Sequence, residues 1–372
     1  MNKNIVKIGL TEQHGMSLEQ SLFPPKGIEY SFLSYKSNGS KIFTSPMKGY
    51  MSKIDEGDVD VIETVMTPII TNKPWFYSLA CYQEAVAFSL LGLPIPRAVR
   101  LAYMEYFFTR KNFKGFIFWS NAGLTTMKTY GQVKDQKLID KAHVVYPAVR
   151  EVDDKKIQYN NNEINILFNG NFFIKGGANV VDAFIELEKI FDNLSLRLLC
   201  DEKIDFHTGD KSLKEKYLKV IKSHKKIKLG RAPRETLLNE ILPQTDIYVL
   251  PTYGDAFGFA VLEAMAYGIP VVSTNYMAIP EMVDHEKSGY LIDISEYNCQ
   301  KLFKGCYVNK LPDNFKNNIN AQLTDYLYKL ISSTPLRKEF GQESLRIARS
   351  KFSFDRRNEV LGEIYKKALF QN

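Results

Sequence analysis

Two kinds of hydrophobic pattern alternate along this chain. Short runs rich in β-branched and aromatic residues are separated by longer stretches whose apolar positions recur every three to four residues. The short runs suit strands covered on both faces, and the long ones suit helices that bury a single stripe. In the first half, Ile5–Leu10, Val59–Val65, Trp75–Leu79, Gly115–Trp119 and Val144–Tyr146 predict strands. Ala85–Leu91, Arg97–Thr109 and Asn121–Tyr130 carry helical periods, with Pro94 and Pro96 breaking the first two apart. Arg150–Asn162 (REVDDKKIQYNNN) has no apolar period and reads as a linker. The pattern then restarts with a strand at Ile164–Phe168, a helix opened by Gly176 and Gly177 and running through Ile190, and strands at Leu196–Cys200, Asp246–Leu250 and Ile269–Ser273. Cys299–Ala321, rich in Asn and Lys, reads as an insertion or surface loop. Thr324–Ser332, Leu336–Lys351 and Phe354–Leu369 read as terminal helices, the last amphipathic enough to pack across a neighbouring domain. The alternation predicts an α/β fold in two domains, 1–152 and 153–352, with a C-terminal helix at 353–372 returning to the first.

Composition narrows the picture without changing it. A chain of 372 residues exceeds what one core usually organises. Its 45% hydrophobic and 24% charged residues are ordinary for a globular enzyme. No run reaches the roughly 18 apolar residues a membrane helix needs, and Met1–Lys7 lacks the apolar core of a signal peptide, so a cytoplasmic location is expected. Cys81, Cys200, Cys299 and Cys306 form no C-x-x-C pair and read as free thiols, and no metal site is expected. The net charge of +7 would suit a nucleotide diphosphate or an acidic membrane surface. Lysine is plentiful throughout, however, and no nucleic-acid-binding signature accompanies the charge, so no nucleic-acid partner is expected.

The chemistry concentrates in Pro251–Glu263, PTYGDAFGFAVLE. A buried strand runs into a turn holding Gly254, Asp255, Phe257 and Gly258, and a helix begins near Phe259. Ligands of parallel sheets bind beyond the carboxyl ends of strands, and Gly258 lets an anion approach the backbone amides of Phe259 and Ala260. Asp255 and Glu263, eight positions apart, are placed to face one crevice. Glu263 then fits a ribose diol and Asp255 the hydroxyls of a transferred sugar. The structural alternative is that Glu263 merely complements the helix dipole and Asp255 fills a turn.

This stretch resembles the E-x7-E signature of the retaining GT-B glycosyltransferases called family 4, within glycosyl transferases group 1. Glu263–Thr274 (EAMAYGIPVVST), Ile279–Val283 (IPEMV) and Ser288–Ile292 (SGYLI) continue that resemblance in register. It covers roughly Val144–Tyr365 well and the first half in outline. It implies a GT-B architecture, two Rossmann-like domains whose parallel sheets face a central cleft. It also implies a UDP- or GDP-sugar donor on the second domain, a saccharide or lipid-linked acceptor on the first, and no metal or other cofactor. In that light Asp255 and Lys175 are the catalytic candidates. Glu263, Gly258, Phe259, Ala260, Phe257, Gly170, Asn171, Gly176 and Arg231 are the donor-binding candidates.

Three departures stand out. Asp255 replaces the usual leading Glu. Asn171 stands where an arginine is usual, in a shortened loop (NGNFFIKGG), which leaves Lys175 to carry the charge opposite a diphosphate. No first-domain histidine is found in Trp75–Glu84, so His14, Gly15 and Glu84 are the acceptor-side candidates. Asp58-Val59-Asp60, a D-x-D triplet at the mouth of a strand, reads as solvent-facing. The implied activity is retaining sugar transfer in polysaccharide, glycoconjugate or glycolipid synthesis, with peripheral association at the inner membrane face as a further expectation. A nucleotide-sugar epimerase, or a non-catalytic nucleotide-sugar-binding subunit, is the alternative.

Overall fold

The computed structural model describes residues 5–13, 15–35, 54–65, 67–86, 89–90, 93–159, 163–295, 303–304, 307–308 and 314–370. These form two compact units, one of residues 1–148 with 352–372 and the other of 149–351.

The first unit is built on strands β1 (Val6–Leu10), β2 (Ile28–Phe32), β3 (Val61–Val65), β4 (Trp75–Leu79), β5 (Phe113–Phe118) and β6 (Ala142–Val144). All pairs are parallel, in the order β6-β5-β4-β3-β1-β2. Helices α1 (Gly15–Leu22), α2 (Tyr82–Val86), α3 (Arg97–Phe108) and α4 (Asn121–Thr129) lie between strands. Alternation along β4 divides the core. Trp75 and Tyr77 pack with Phe107, Phe108, Phe113 and Phe116 on one face, while Phe76 packs with Ile8, Val61 and Ile117 on the other. The second face is sealed by Leu361, Ile364 and Tyr365 of the C-terminal helix Phe354–Phe370.

The second unit repeats the plan with β7 (Ile164–Asn169), β8 (Leu194–Leu199), β9 (Ile227–Leu229), β10 (Ile247–Leu250), β11 (Val271–Thr274) and β12 (Gly289–Ile292). These are again all parallel, in the order β9-β8-β7-β10-β11-β12. Its helices are α5 (Gly177–Leu187), α6 (Lys211–Ser223), α7 (Phe259–Ala266), α8 (Phe315–Ser332) and α9 (Thr334–Lys351), so the C-terminal helix is α10. The chain leaves β7 toward β8 but leaves β10 toward β11. The two crossovers diverge and open a crevice beyond the carboxyl ends of these neighbouring strands.

Two sequence expectations are corrected here. The stretch expected as one helix over Ala85–Leu91 is helical only over Tyr82–Val86. Ser89–Leu90 then pairs antiparallel with Leu93–Pro94, a strand-end position that proline tolerates. The expected insertion gives way to helix α8 from Phe315 onward, because Phe315, Ile319, Leu323, Leu327 and Leu330 form one buried stripe through the Asn-rich text. Cys81 and Cys200 are buried free thiols, and Cys299 and Cys306 lie outside the described residues.

Candidate active site of the second unit

The crevice between β7 and β10 is bordered by the two loops that follow them, and those loops are interlocked. The Tyr253 amide donates to the Ile174 carbonyl at 3.2 Å, and the Tyr253 hydroxyl donates to the Phe173 carbonyl. Gly176 (φ +79°) lies so close to the second loop that a Cβ there would fall 2.3 Å from the Pro251 carbonyl oxygen. Gly170 (φ +112°) leaves the stem of Lys175 room to lie across it, a Cβ there coming 3.3 Å from Lys175 Cγ.

This packing brings Lys175 Nζ onto Asp255 Oδ2 in an ion pair with both side chains largely buried. Asp255 Oδ1 accepts the amides of Phe257 at 3.2 Å and Gly258 at 3.0 Å, which fixes the carboxylate over the entry to α7. Gly258 is left-handed (φ +92°), and no N-cap side chain closes the first turn of α7. The positive end of that helix therefore faces the same region as Lys175. Phe257 is buried and packs at 4.9 Å on the half-exposed ring of Phe259, so of Phe257 only the backbone faces the loop.

Glu263, in the second turn of α7, accepts from Arg234 Nη2 at 2.7 Å. A buried phenol lies beneath the site. Tyr248, wholly inside, donates to Asn169 Oδ1 at 2.5 Å. Its hydroxyl is held well above its ordinary range by burial first and then by the charges of Asp255 and Glu263.

Other expected residues are placed differently. Asn171 Oδ1 accepts the Ile174 amide at 3.4 Å and its carbonyl accepts the Lys175 amide at 2.9 Å, so it shapes the turn that presents Lys175. Arg231 forks Asp205, Nε to Oδ2 at 2.9 Å and Nη2 to Oδ1 at 2.8 Å. Burial alone would raise the Asp205 pKa, but the Arg231 fork and the Asp201 amide outweigh it and the carboxyl is held below its usual range. The arginine that reaches an acid of the motif is Arg234, which sequence reasoning passed over. Its only signal was its place three residues beyond Arg231.

In the first unit, Gly15 (φ +53°) opens α1 beyond the end of β1, and His14 lies outside the described residues. Glu84 Oε2 accepts the Ala80 amide at 2.9 Å, and burial pushes its pKa up. Asp60 accepts the Lys7 amide at 3.0 Å and Asp58 pairs with Lys7 Nζ at 2.6 Å, ahead of β3. Among the described residues no cluster of three His, Cys, Asp or Glu side chains could hold a metal ion.

With this arrangement in view, the comparisons become specific. Residues 149–303 match the family described as Glycosyl transferases group 1. The matched segment contains the loops that carry Lys175, Arg231, Asp255 and Gly258, together with Arg234 and Glu263. A 57-residue stretch is 37% identical to N-acetyl-alpha-D-glucosaminyl L-malate synthase of Bacillus anthracis, covering 15% of each chain. A 139-residue stretch is 30% identical to D-inositol 3-phosphate glycosyltransferase of Corynebacterium jeikeium, covering 37% of this chain and 27% of that one. The matches to the curated relatives Bacillus anthracis synthase and Erwinia amylovora AmsK span only 15% and 17% of those proteins. The fold is shared over nearly the whole chain with solved structures. The Rickettsia africae glycosyltransferase has a TM-score of 0.61 at 15% identity, covering 99% of this chain and 100% of that one. Anabaena Alr3699/HepE, solved with UDP and glucose, has a TM-score of 0.63 at 15% identity, covering 97% and 99%.

Proposed function

We propose that this protein is a retaining glycosyltransferase of family 4 that moves a sugar from a UDP- or GDP-sugar to an acceptor hydroxyl, in polysaccharide, glycoconjugate or glycolipid assembly. The observation that carries the reading is the Lys175–Asp255 pair set beside the uncapped start of α7, with Glu263 in the second turn of the same helix. A cation, a run of amides and two acids are what a pyrophosphate flanked by two polyols requires.

In this reading Glu263 accepts from the ribose hydroxyls and Asp255 from the sugar. Lys175 and the amide end of α7 take up the negative charge that develops on the departing diphosphate as the anomeric C–O bond breaks. The acceptor hydroxyl attacks the same face, its oxygen bonding to the anomeric carbon while its proton passes to the leaving phosphate oxygen. No side chain need act as nucleophile, and the reaction is proposed to proceed without a metal. Peripheral association with the inner membrane face, and a saccharide or lipid-linked acceptor, belong to the same proposal. No helix among the described residues is long and apolar enough to cross a membrane.

The test is a thermal-shift panel of nucleotide sugars followed by an assay of free nucleotide release. One nucleotide-sugar class should raise the melting temperature by mass action. Glu263→Ala should weaken that donor about tenfold to a hundredfold, the worth of a hydrogen-bonded charge. If no nucleotide sugar shifts the melt, or if Glu263→Ala binds and turns over the donor like the native chain, the proposal fails.

A further inference from the structure

We infer that the second unit holds a phosphoryl-binding cavity on the flank of its sheet, apart from the crevice that carries Lys175 and Asp255. Side chains alternate faces along a strand, and residues paired across neighbouring strands share a face. The pairings Asn165↔Ser195, Leu167↔Arg197 and Arg197↔Lys228 therefore put these polar side chains together on one face, toward the β9 edge. The 3-10 turn Leu242–Gln244 and the buried Thr245 close over that face and leave a cavity of about 40 Å3, lined by Asn165, Ser195, Arg197, Lys228, Gln244 and Thr245 among others. Asn165, Ser195 and Thr245 mark the amino ends of β7, β8 and β10, whereas the crevice lies beyond the carboxyl ends.

The donors of this cavity are uncommitted. Half-buried Arg197 and exposed Lys228 make no hydrogen bond or ion pair among the described residues, and no Asp or Glu lines the cavity. Ser195 Oγ donates to Asn165 Oδ1 at 2.6 Å, which occupies the amide oxygen and leaves the Nδ2 hydrogens without a partner among the described residues. Asp246 lies outside the lining and accepts the Asn165 main-chain amide at 2.9 Å. A lysine on an edge strand would by itself be an ordinary guard against edge pairing. Arg197 stands on β8, between β9 and β7, so that explanation does not reach it. A half-buried guanidinium has five N–H donors and no acceptor of its own, so its partner here has to come from outside. At about 10–15 Å3 for each water-sized group, the cavity holds about three, which are the terminal oxygens of a phosphoryl group. The arginine fork suits two of them, with the ammonium and the Asn165 amide left for the third.

This site is independent of the sugar-transfer reading, and its test is kept apart from the donor crevice. The full chain carrying Lys175→Ala, which removes the crevice's own cation, is titrated calorimetrically with inorganic phosphate and with glucose 6-phosphate, chloride holding the ionic strength fixed. Saturable binding is expected to persist in that background. Adding Arg197→Met should weaken it at least about tenfold, the worth of a hydrogen-bonded charge. Lys228→Met, at an exposed position that folding does not depend on, should weaken it by up to about fivefold, the worth of an exposed ion pair. Arg197→Lys keeps the charge and loses the fork, so it should fall between native and Arg197→Met. Binding of inorganic phosphate alone supports a free ion as the ligand, and binding of glucose 6-phosphate supports a phosphoryl group carried on a larger molecule. Without either probe the Arg197→Met chain should melt with the native one, since no internal contact is lost. No saturable binding in the Lys175→Ala background, or binding that both Arg197→Met and Lys228→Met leave unchanged, would overturn the inference.

Discussion

Individual ionisable residues carry most of this protein's chemistry, and their surroundings set their behaviour. Lys175 and Asp255 come from loops 80 positions apart and pair with each other. A diphosphate arriving at Lys175 would therefore exchange one anion for another, so the lysine is held in position beforehand without being left as an unpaired buried charge. Glu84 in the first unit presents the opposite situation, because burial raises its pKa and the amides of Ala80 and Cys81 only partly offset that effect. An acid raised on folding contributes stability that is complete below its unfolded value near 4.5 and is lost as pH climbs through the folded value. Glu84→Gln keeps an oxygen for the Ala80 amide and removes the charge. It should raise the melting temperature at pH 7 to 8, by about 2–4 °C for each kcal/mol of relieved desolvation, with the gain shrinking toward pH 4. Melting curves across that range check this, and a gain that persists undiminished at pH 4 would contradict the assignment.

The loops of the site owe their shape to two glycines whose demands differ. Gly258 is left-handed at φ +92°, and a Cβ there would press on the flexible end of Met282, its Cε at 3.2 Å, with Ile279 and Val261 at ordinary contact distance. Gly258→Ala should cost about 1–2 kcal/mol, the penalty of that backbone region for an L-residue. Gly176 has the same kind of dihedral, but its Cβ would strike a backbone oxygen that cannot turn aside. Gly176→Ala should therefore cost at least about 2 kcal/mol more and should also part Lys175 from Asp255. Urea unfolding compares the two, and equal midpoints would show that the loop contact carries no weight. Elements of this kind were legible in the sequence where one signal dominated. The strand ending at Pro251, the turn at Gly258 and the helix bearing Glu263 could each be read from local text. The start of α8 was not, because its buried stripe of Phe315, Ile319 and Leu323 is spaced among asparagines and lysines that read as loop. Strand β2, five residues with one buried side chain at the sheet edge, gave no apolar run to notice. Arg231 lies in the loop after β9, and Arg234, of the same charge, opens the short helix Arg234–Thr236 that follows. Only the fold shows that the first is engaged by Asp205 and the second by Glu263.

At the scale of the molecule, the first unit is assembled from two ends of the chain, so its stability depends on how firmly α10 is held. The apolar side chains Leu361, Ile364 and Tyr365 supply burial, and a buried polar network supplies register. The Tyr365 hydroxyl donates to Glu63, Gln20 Nε2 donates to Glu63 at 3.1 Å and to Tyr30 at 2.8 Å, and Arg357 donates to Gln20 Oε1 at 2.5 Å. Glu63 is 1% exposed, and a carboxylate so placed depends on each donor it retains. Tyr365→Phe preserves the ring and its packing but deletes one of those donors, so it should destabilise the first unit by about 1–3 kcal/mol. The chain supplies its own reporter for that unit, because both tryptophans, Trp75 and Trp119, belong to it. Unfolding followed by tryptophan fluorescence should therefore shift to lower denaturant in the variant, while donor-induced stabilisation of the second unit keeps its native size. An unmoved fluorescence transition would mean that α10 is held by its apolar face alone, with the buried network contributing specificity of docking and no net stability.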